Sequence, residues 1–433
     1  MAWDFETEPE FQEKLDWMDQ FVREEIEPID VLFGGREFTP LDDTLRPIVD
    51  PLKQRVRDAG LWACHLGPDL GGAGYGQLRL SLMNEIIGRS PWAPIVFGCQ
   101  APDTGNAEII AHYGTDEQKE RYLQPLLNGE VFSCYSMTEP QAGADPTLFE
   151  TRAERDGDEW VINGWKFFSS NAKTASFLIV MVVTNPDVSA YQGMSMFLVP
   201  TDTPGVNIVR NLGLGGESSE EGSHALIHYD NVRVPLDAVL GGEGQAFAIA
   251  QTRLGGGRIH HAMRTIGLCN HAFDMMCERA LSRNVSGGLL AEKQFVQGFI
   301  ADSYAQIRQF RLLVLNTAWA IDRYQDYRRV RKDIAAVKIL MPGLITDVVQ
   351  RSIQVHGALG VSNELPLARM LLAGPILGLA DGPTEVHKVT VARQVLREYK
   401  PSDDLWPSEH RPKKEAAARE KLAAHLEHAI GNA

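Results

Sequence analysis

The sequence predicts an α+β multidomain protein in which a helical unit, a β-rich unit and a second helical unit follow one another. Three observations carry this expectation. Phe11, Leu15, Met18 and Val22 recur at helical spacing. FLIVMVV (Phe177 to Val183) is a continuous apolar run of buried-strand length, and ALIHYDNVRV (Ala225 to Val234) alternates and is rich in strand formers. Phe295, Phe299, Ile300, Ile307, Phe310 and Val314 form an apolar stripe on a segment without proline.

The first unit spans residues 1–131 and is helical, broken by the glycine-rich loop GPDLGGAGYG (Gly67 to Gly76). The β-rich unit spans 132–242 and ends at the glycine cluster GGEGQ (Gly241 to Gln245). From 243 to 405 the pattern returns to helix, and the long stripe predicts a bundle. Residues 406–433 are charged and alanine-rich, which predicts a solvated terminal helix or frayed tail without chemistry.

The bulk numbers narrow the function. At 433 residues the chain has room for two or three packed units. Its 42 basic and 57 acidic residues give −15, a field that repels phosphate, so neither nucleic acid nor an anionic membrane is the expected partner. Cys64, Cys99, Cys134, Cys269 and Cys277 are odd in number and lack a Cys-x-x-Cys pair, indicating neither a disulfide framework nor a metal site. The acidic N-terminus lacks a signal-peptide pattern, and no apolar run approaches the length of a membrane span. A soluble, cytoplasmic protein is expected.

Two short stretches, CYSMTEPQAGAD (Cys134 to Asp145) and INGWKFFSSN (Ile162 to Asn171), carry the first chemical signal. No Gly-x-Gly-x-x-Gly fingerprint follows a strand-like run, so a dinucleotide cofactor has no nucleotide-binding helix to use. The two stretches instead mark where a flavin would be gripped by loops and strands. Glu139 precedes Pro140 and is thereby pushed into extended backbone, while Gly143 lets the main chain approach a ligand. Free N–H groups and the Thr138 hydroxyl would meet a polar ring edge.

With GTDEQKERYLQPLLNGE (Gly114 to Glu130), HYDNVRVPLDAVLGGEGQAF (His228 to Phe247), GRIHHAMRTIGL (Gly257 to Leu268), the segment from Arg283 to Gln294, IQVHGALGV (Ile353 to Val361) and LADGPTEVH (Leu379 to His387), these stretches form an ordered series. Across residues 5 to 400 the series resembles the acyl-CoA dehydrogenase family, and within it the family member 11-like branch. Animal members of that branch carry a kinase-like domain that is not among these 433 residues. The resemblance implies an N-terminal helical domain, a β-barrel-like middle domain, a C-terminal four-helix bundle, FAD at a subunit interface, and a homodimer or homotetramer.

By the same resemblance, Tyr135, Met137, Thr138, Phe168 and Ser170 contact the isoalloxazine surroundings, with Gly143 and Ala144 in the cofactor loop. Phe168 stands where the family usually has tryptophan, keeping an aromatic face and losing an indole donor. Arg283 and Gln294 match residues that reach the FAD of a neighbouring subunit, with Gln354 and Gly357 beside them. Ser286-Gly287 replaces the usual Phe-Gly after that arginine, removing one apolar contact. Pro383 stands where a phosphate-contacting threonine is common, and Thr384 is the candidate to compensate.

Removing hydrogens from the carbons α and β to a thioester requires a base for the α proton and a hydride acceptor for the β carbon. The residue matching the family's glutamate base is Asp381. It is shorter by one methylene, roughly 1.5 Å of reach, and Ala380 in place of a tyrosine, with Gly382 on its other side, leaves room for substrate. An alternative family position, just before Arg258, holds only Gly255, Gly256 and Gly257. Desolvation is expected to lift the Asp381 pKa above the ordinary aspartate value and strengthen it as a base. Its backbone N–H is the expected thioester-polarising donor. Arg258 matches an arginine near base and thioester. Adjacent His260 and His261 point about 100° apart on a helix and do not readily share a metal ion. Asp381-Gly382-Pro383 also reads as an ordinary turn.

The chain-length segment GCQAPDTGN (Gly98 to Asn106) contains Pro102, expected to distort a helix, and Gln100 and Asp103, expected to add polarity near substrate. A modified or branched acyl-CoA is therefore expected. The related branch is associated with long or branched acyl-CoAs and with 4-hydroxyacyl-CoAs processed through a phosphorylated intermediate, which would call for a separate kinase partner. Electrons would pass to an electron-transfer flavoprotein. The competing readings are a nitroalkane-oxidase-like flavin oxidase, whose relatives also use an aspartate base, and a non-catalytic DNA-associated relative, against which the −15 charge argues.

Overall fold

The computed structural model describes residues 5–423, apart from 38, 40, 69–71 and 216, together with 425 and 426. The middle of the Gly67 to Gly76 loop thus lies outside the described residues. Two compact units are present, Met1–Lys388 and Val389–Ala433.

The first unit opens with α1 (Pro9–Phe21), continued by a π-helical turn into α2 (Glu27–Phe33), then α3 (Arg46–Asp58), α4 (Gly76–Ile87), α5 (Ala93–Val96), α6 (Asp103–Tyr113), α7 (Asp116–Gln118) and α8 (Gln124–Leu127). Proline at the first turn starts α1 and α3, where a missing N–H costs nothing. Thr115 and Gln118 cap α7 reciprocally, each side chain accepting from the other's backbone N–H at 3.2 Å. Pro102 occupies the N-cap of α6, so the helix begins after it. The distortion expected from Pro102 does not occur, because only an interior proline would break a helix hydrogen bond.

Seven strands follow: β1 (Ser133–Ser136), β2 (Arg152–Asp156), β3 (Glu159–Ser170), β4 (Phe177–Val183), β5 (Met194–Pro200), β6 (Val206–Leu212) and β7 (His224–Pro235). β1 pairs with both β4 and β3, and β2 also pairs with both, so these four strands close on themselves; β7 and β6 extend from β3, and β5 from β4. The apolar run of β4 is explained by burial on both faces. Phe177, Ile179 and Met181 join a core with Ile109 and Ile110 of α6, while Leu178, Val180 and Val182 join the sheet interior with Trp160, Ile227 and Tyr229.

The helical remainder comprises α9 (Ala246–Ser282), α10 (Gln294–Tyr324), α11 (Arg331–His356), α12 (Leu367–Leu379) and the start of α13 (Thr384–Leu396). The stripe on α10 faces inward through Val296, Ile307, Phe310 and Val314, whereas Phe295 is 86% exposed. Phe295 is thus corrected: it sits one residue out of phase with Val296, which takes the inward position. The early and late helices share one core, in which Met18, Val49 and Met83 meet Ile259, Met263 and Ile266 of α9 and Val337 and Met341 of α11. Each amphipathic layer covers the stripe of the other. Gly255, Gly256 and Gly257 weaken α9 by about 1 kcal/mol each relative to alanine. Full burial of Ile259, Met263 and Ile266 offsets this at about 1.5–3 kcal/mol per side chain.

The second unit contains the rest of α13 and α14 (Arg411–Lys421), which buries no residue. Trp406 stacks on His410 and Lys413 pairs with Asp404 at 2.7 Å.

Candidate active site

One face of α9 organises the site. Arg253, Gly257 and His261 are four residues apart and therefore share that face. The three consecutive glycines each leave space for a different side chain. A Cβ on Gly255 would lie 3.4 Å from the Tyr327 ring, on Gly256 2.7 Å from Glu108 Oε2, and on Gly257 3.2 Å from Asp381 Oδ2. Close backbone approach, expected from the glycines, is thus used by three neighbours at once. His261 Nε2 lies 3.7 Å from Asp381 Oδ2. His260 turns instead to Gln77 Oε1 at 3.2 Å and packs near His65.

Asp381 sits in the loop leaving α12, with φ of +55° at Asp381 and +100° at Gly382. A non-glycine residue in the left-handed region persists when its surroundings fix it, and here they do. Ala380 N donates to Ile376 O at 2.9 Å, Thr384 Oγ1 to Gly378 O at 3.2 Å, and Lys338 Nζ to Leu377 O. Arg258 Nε donates to Asp381 O at 2.9 Å, and His387 Nε2 lies 3.3 Å from the same oxygen. Thr384 is thereby placed on the α12 terminus. The Asp381 side chain is 16% exposed, and its backbone N–H donates to no carbonyl among the described residues.

Burial favours the neutral acid at Asp381, but His261, Arg253, Arg258 and Lys338 outweigh it and hold the carboxyl below the ordinary aspartate range. This corrects the expected upward shift: desolvation is present, and the interactions with the surrounding basic groups exceed it. Burial pushes His261 down to about 4 despite the pull of Asp381. Burial also lowers Lys338 to about 8 against the same pull.

The two motif stretches of the β unit come together. Tyr135 of β1 pairs with Ser170 of β3, and Phe167 N donates to Thr138 O at 2.8 Å. Beneath them Lys166 Nζ donates to Met137 O and to Glu139 Oε1, both at 2.8 Å, in a fully buried ion pair. Glu139 also accepts from Glu150 N at 2.7 Å and Thr151 N at 3.1 Å. Phe168 has φ of +52° and a ring 46% exposed, while Gly143 and Ala144 are exposed. Ser170 Oγ bonds His224 Nδ1 at 2.8 Å. Arg253 connects this region to Asp381: its guanidinium lies 3.8 Å over the Tyr135 ring and its Nε donates to Asn106 Oδ1 at 2.8 Å.

Other expected residues lie elsewhere. Gln100 Nε2 donates to Asp103 Oδ2 at 2.6 Å, and Asp103 Oδ1 accepts from Ser133 N and Oγ, so both groups are engaged in tying α6 to β1. Arg283, Gln294, Gln354 and Gly357 are exposed. Packing of Met276, Ala280, Val296 and Val355 gathers the segments that carry them at one end of the bundle. On α9 that end is roughly 39 Å from Gly257 at 1.5 Å per residue. Ala380 is exposed, and a Cβ on Gly382 would meet His387 Nε2 at 3.1 Å.

Arg253, Lys338, Glu108 and the Lys166–Glu139 pair escaped the sequence reading. Spacing could have found Arg253, four residues before Gly257. Lys338 is a lone charge within IAAVKILM, where a buried, functional cation is an alternative to a solvated one. Lys166 has the same strand parity as buried Trp160 and Ile162. Glu108 carries no comparable signal.

Comparison with known proteins matches family descriptions to three successive segments: the acyl-CoA dehydrogenase N-terminal domain at residues 8–130, the middle domain at 134–232 and the C-terminal domain at 244–396. The chain is 44% identical over 365 residues to the Mycobacterium tuberculosis protein named probable acyl-CoA dehydrogenase FadE2, covering 83% of this chain and 88% of that one. It is 43% identical over 355 residues to Gallus gallus acyl-CoA dehydrogenase family member 11, covering 81% of this chain but 45% of that longer protein. A solved structure from Mycobacterium abscessus, provisionally assigned as an acyl-CoA dehydrogenase, superposes with a TM-score of 0.85 at 39% identity, covering 92% of this chain and 100% of that one.

Proposed function

The chain belongs to the acyl-CoA dehydrogenase family, and on that premise we propose that it is an FAD enzyme converting an acyl-CoA thioester to the trans-2-enoyl-CoA. The observation that carries the reading is Asp381. Its carboxylate faces the side-chain-free position of Gly257 on α9, its carbonyl is held by Arg258, and its N–H donates to no carbonyl among the described residues.

The residues present fit a flavin. Tyr135 Oη is buried with no hydrogen-bond partner among the described residues, and the half-exposed Phe168 offers an apolar face beside it on the paired strands. Tyr135, Met137, Thr138, Phe168 and Ser170 would hold the ring, Gly143 and Ala144 would line the loop around it, and Thr384 would face its polar chain. FAD, when bound, supplies the acceptor for the hydride leaving Cβ. Arg283, Gln294, Gln354 and Gly357 would serve the cofactor of a second subunit, supported by the distance along α9 from Gly257 to Arg283 and by the packing that gathers the other segments at that end.

In this reading the Asp381 carboxylate removes the α proton, and general bases of this kind contribute about 10²–10⁴ in rate. Being ionised already, it needs no deprotonation before substrate enters. The Asp381 N–H donates to the thioester oxygen as charge develops there. Arg258 keeps that N–H aimed by holding the carbonyl of the same residue.

The acyl group is proposed to be modified or branched. Support comes from α6, where Thr104 and Glu108 follow at four-residue spacing and Glu108 has no hydrogen bond or ion pair among the described residues. A homodimer or homotetramer, an electron-transfer flavoprotein as acceptor and, for a 4-hydroxyacyl-CoA substrate, a separate kinase partner complete the proposal. The test is anaerobic titration of the holoprotein with an acyl-CoA panel, watching flavin bleaching. Asp381→Asn should retain FAD and abolish bleaching. Undiminished reduction in that variant would move the base elsewhere, and oxygen uptake with nitroalkanes but no response to acyl-CoA would replace the reading.

A further inference from the structure

Lys338 has no part in the chemistry described above. It lies in α11, 43 residues before Asp381 in sequence, and is 1% exposed. A lone ammonium is rarely buried this deeply without a purpose, because desolvation costs several kcal/mol unless charge and hydrogen bonds compensate. Its hydrogen bond is to Leu377 O, in the last turn of α12.

That turn is where a helix exposes carbonyls without intrahelical partners, and where the negative end of its dipole lies. Ile376 O is taken by Ala380 N and Gly378 O by Thr384 Oγ1, and Lys338 takes the carbonyl between them, at Leu377. The next residues, Ala380 and Asp381, leave the helix with φ of −60° and +55°. Where Asp381 begins is therefore set by how the α12 terminus is held.

We infer that Lys338 is a positioning residue for Asp381, fixing the end of α12 through Leu377 O and supplying the interior positive charge on the α11 side of the carboxylate. The inference rests on Asp381 being the base. Around that carboxylate the charged and titratable groups are Arg253, Arg258 and His261 of α9, Lys338 of α11, His387 of α13 and Tyr135 of β1. Arg258 and His387 contact the carbonyl of Asp381, and burial leaves His261 and His387 uncharged at neutral pH. Among the described residues whose charge acts on the carboxylate, Lys338 is thus the one cation from outside α9.

Three variants of the holoprotein separate the two roles. Lys338→Gln keeps an N–H donor for Leu377 O and removes the charge; Lys338→Arg keeps the charge; Lys338→Met removes both. The primary readout is the Asp381 carboxyl titration by difference infrared spectroscopy against Asp381→Asn, which needs no turnover. Lys338→Gln should raise its midpoint by about 1 unit, and Lys338→Arg should hold it near the parent value. The acid limb of flavin reduction by acyl-CoA should move by the same amount, with Lys338→Met losing on the order of 10²-fold in rate while retaining FAD. An unchanged midpoint in Lys338→Gln, or parent reduction kinetics in Lys338→Met, overturns the inference. Should Lys338→Met not fold, the Gln and Arg titrations still decide it. A parent protein that no acyl-CoA bleaches sinks the dehydrogenase reading, whereas the infrared titration judges Lys338 independently.

Discussion

Asp381 Oδ2 lies 3.2 Å from the point at which a side chain on Gly257 would begin. The carboxylate thus borders the space that a side chain on Gly257 would need, and the Asp381 carbonyl is held by Arg258, so that the loop has little freedom to retreat. The absent side chain at Gly257 is therefore a condition of where the carboxylate rests.

Gly257→Ala should accordingly displace the carboxylate by a few tenths of an ångström and slow flavin reduction about 10- to 100-fold. Helix stability should hold or rise by up to about 1 kcal/mol, since alanine is the better helix former. Stopped-flow reduction beside a chemical denaturation curve measures both. Parent rates would show that the loop adapts.

The Lys166–Glu139 pair is fully buried beneath the Met137–Thr138 segment. Lys166→Met leaves Glu139 charged without its ammonium and should cost about 3–5 kcal/mol, with loss of flavin on gel filtration. Adding Glu139→Leu should recover part of that stability, because it removes the stranded charge. A Lys166→Met protein of parent stability would refute the assignment.

Burial raises Glu108 to about 7 from a reference of 4.5, with Arg253 opposing it. The folded state then holds its proton over a range where the unfolded chain has released it, so stability falls as pH climbs from about 4.5 to 7. Glu108→Gln should match the parent at pH 4 and exceed it by about 2–3 kcal/mol at pH 8. Denaturant midpoints across that range test the sign. A constant difference at both pH values would contradict it.

Arg283 is exposed and follows α9 directly. Arg283→Ala should change the folding stability by less than about 0.5 kcal/mol yet release FAD on dilution, if it reaches the cofactor of a second subunit. Flavin content against protein concentration is the measurement. Retention equal to the parent at every concentration would remove Arg283 from the cofactor site.

The three-part layout was legible in the sequence because it follows from local periodicity: helical spacing in α1 and α10, and strand patterning in β4 and β7. The place of Asp381 in an ordered motif series makes it the candidate base, and the backbone access at Gly255 to Gly257 was legible through composition alone. Lys338, Glu108 and Arg253 were not, because their significance lies in convergence on one point from α11, α6 and α9, separated by more than a hundred residues of chain. The direction of the Asp381 shift was misjudged for the same reason. Desolvation can be anticipated for any enclosed carboxylate, but the number of cations packed around it is a property of the folded core. The sequence by itself determined which segments are helix or strand and which carboxylate is available. Only the tertiary structure decided which charges surround that carboxylate, because Coulomb interactions depend on distance through space and not along the chain.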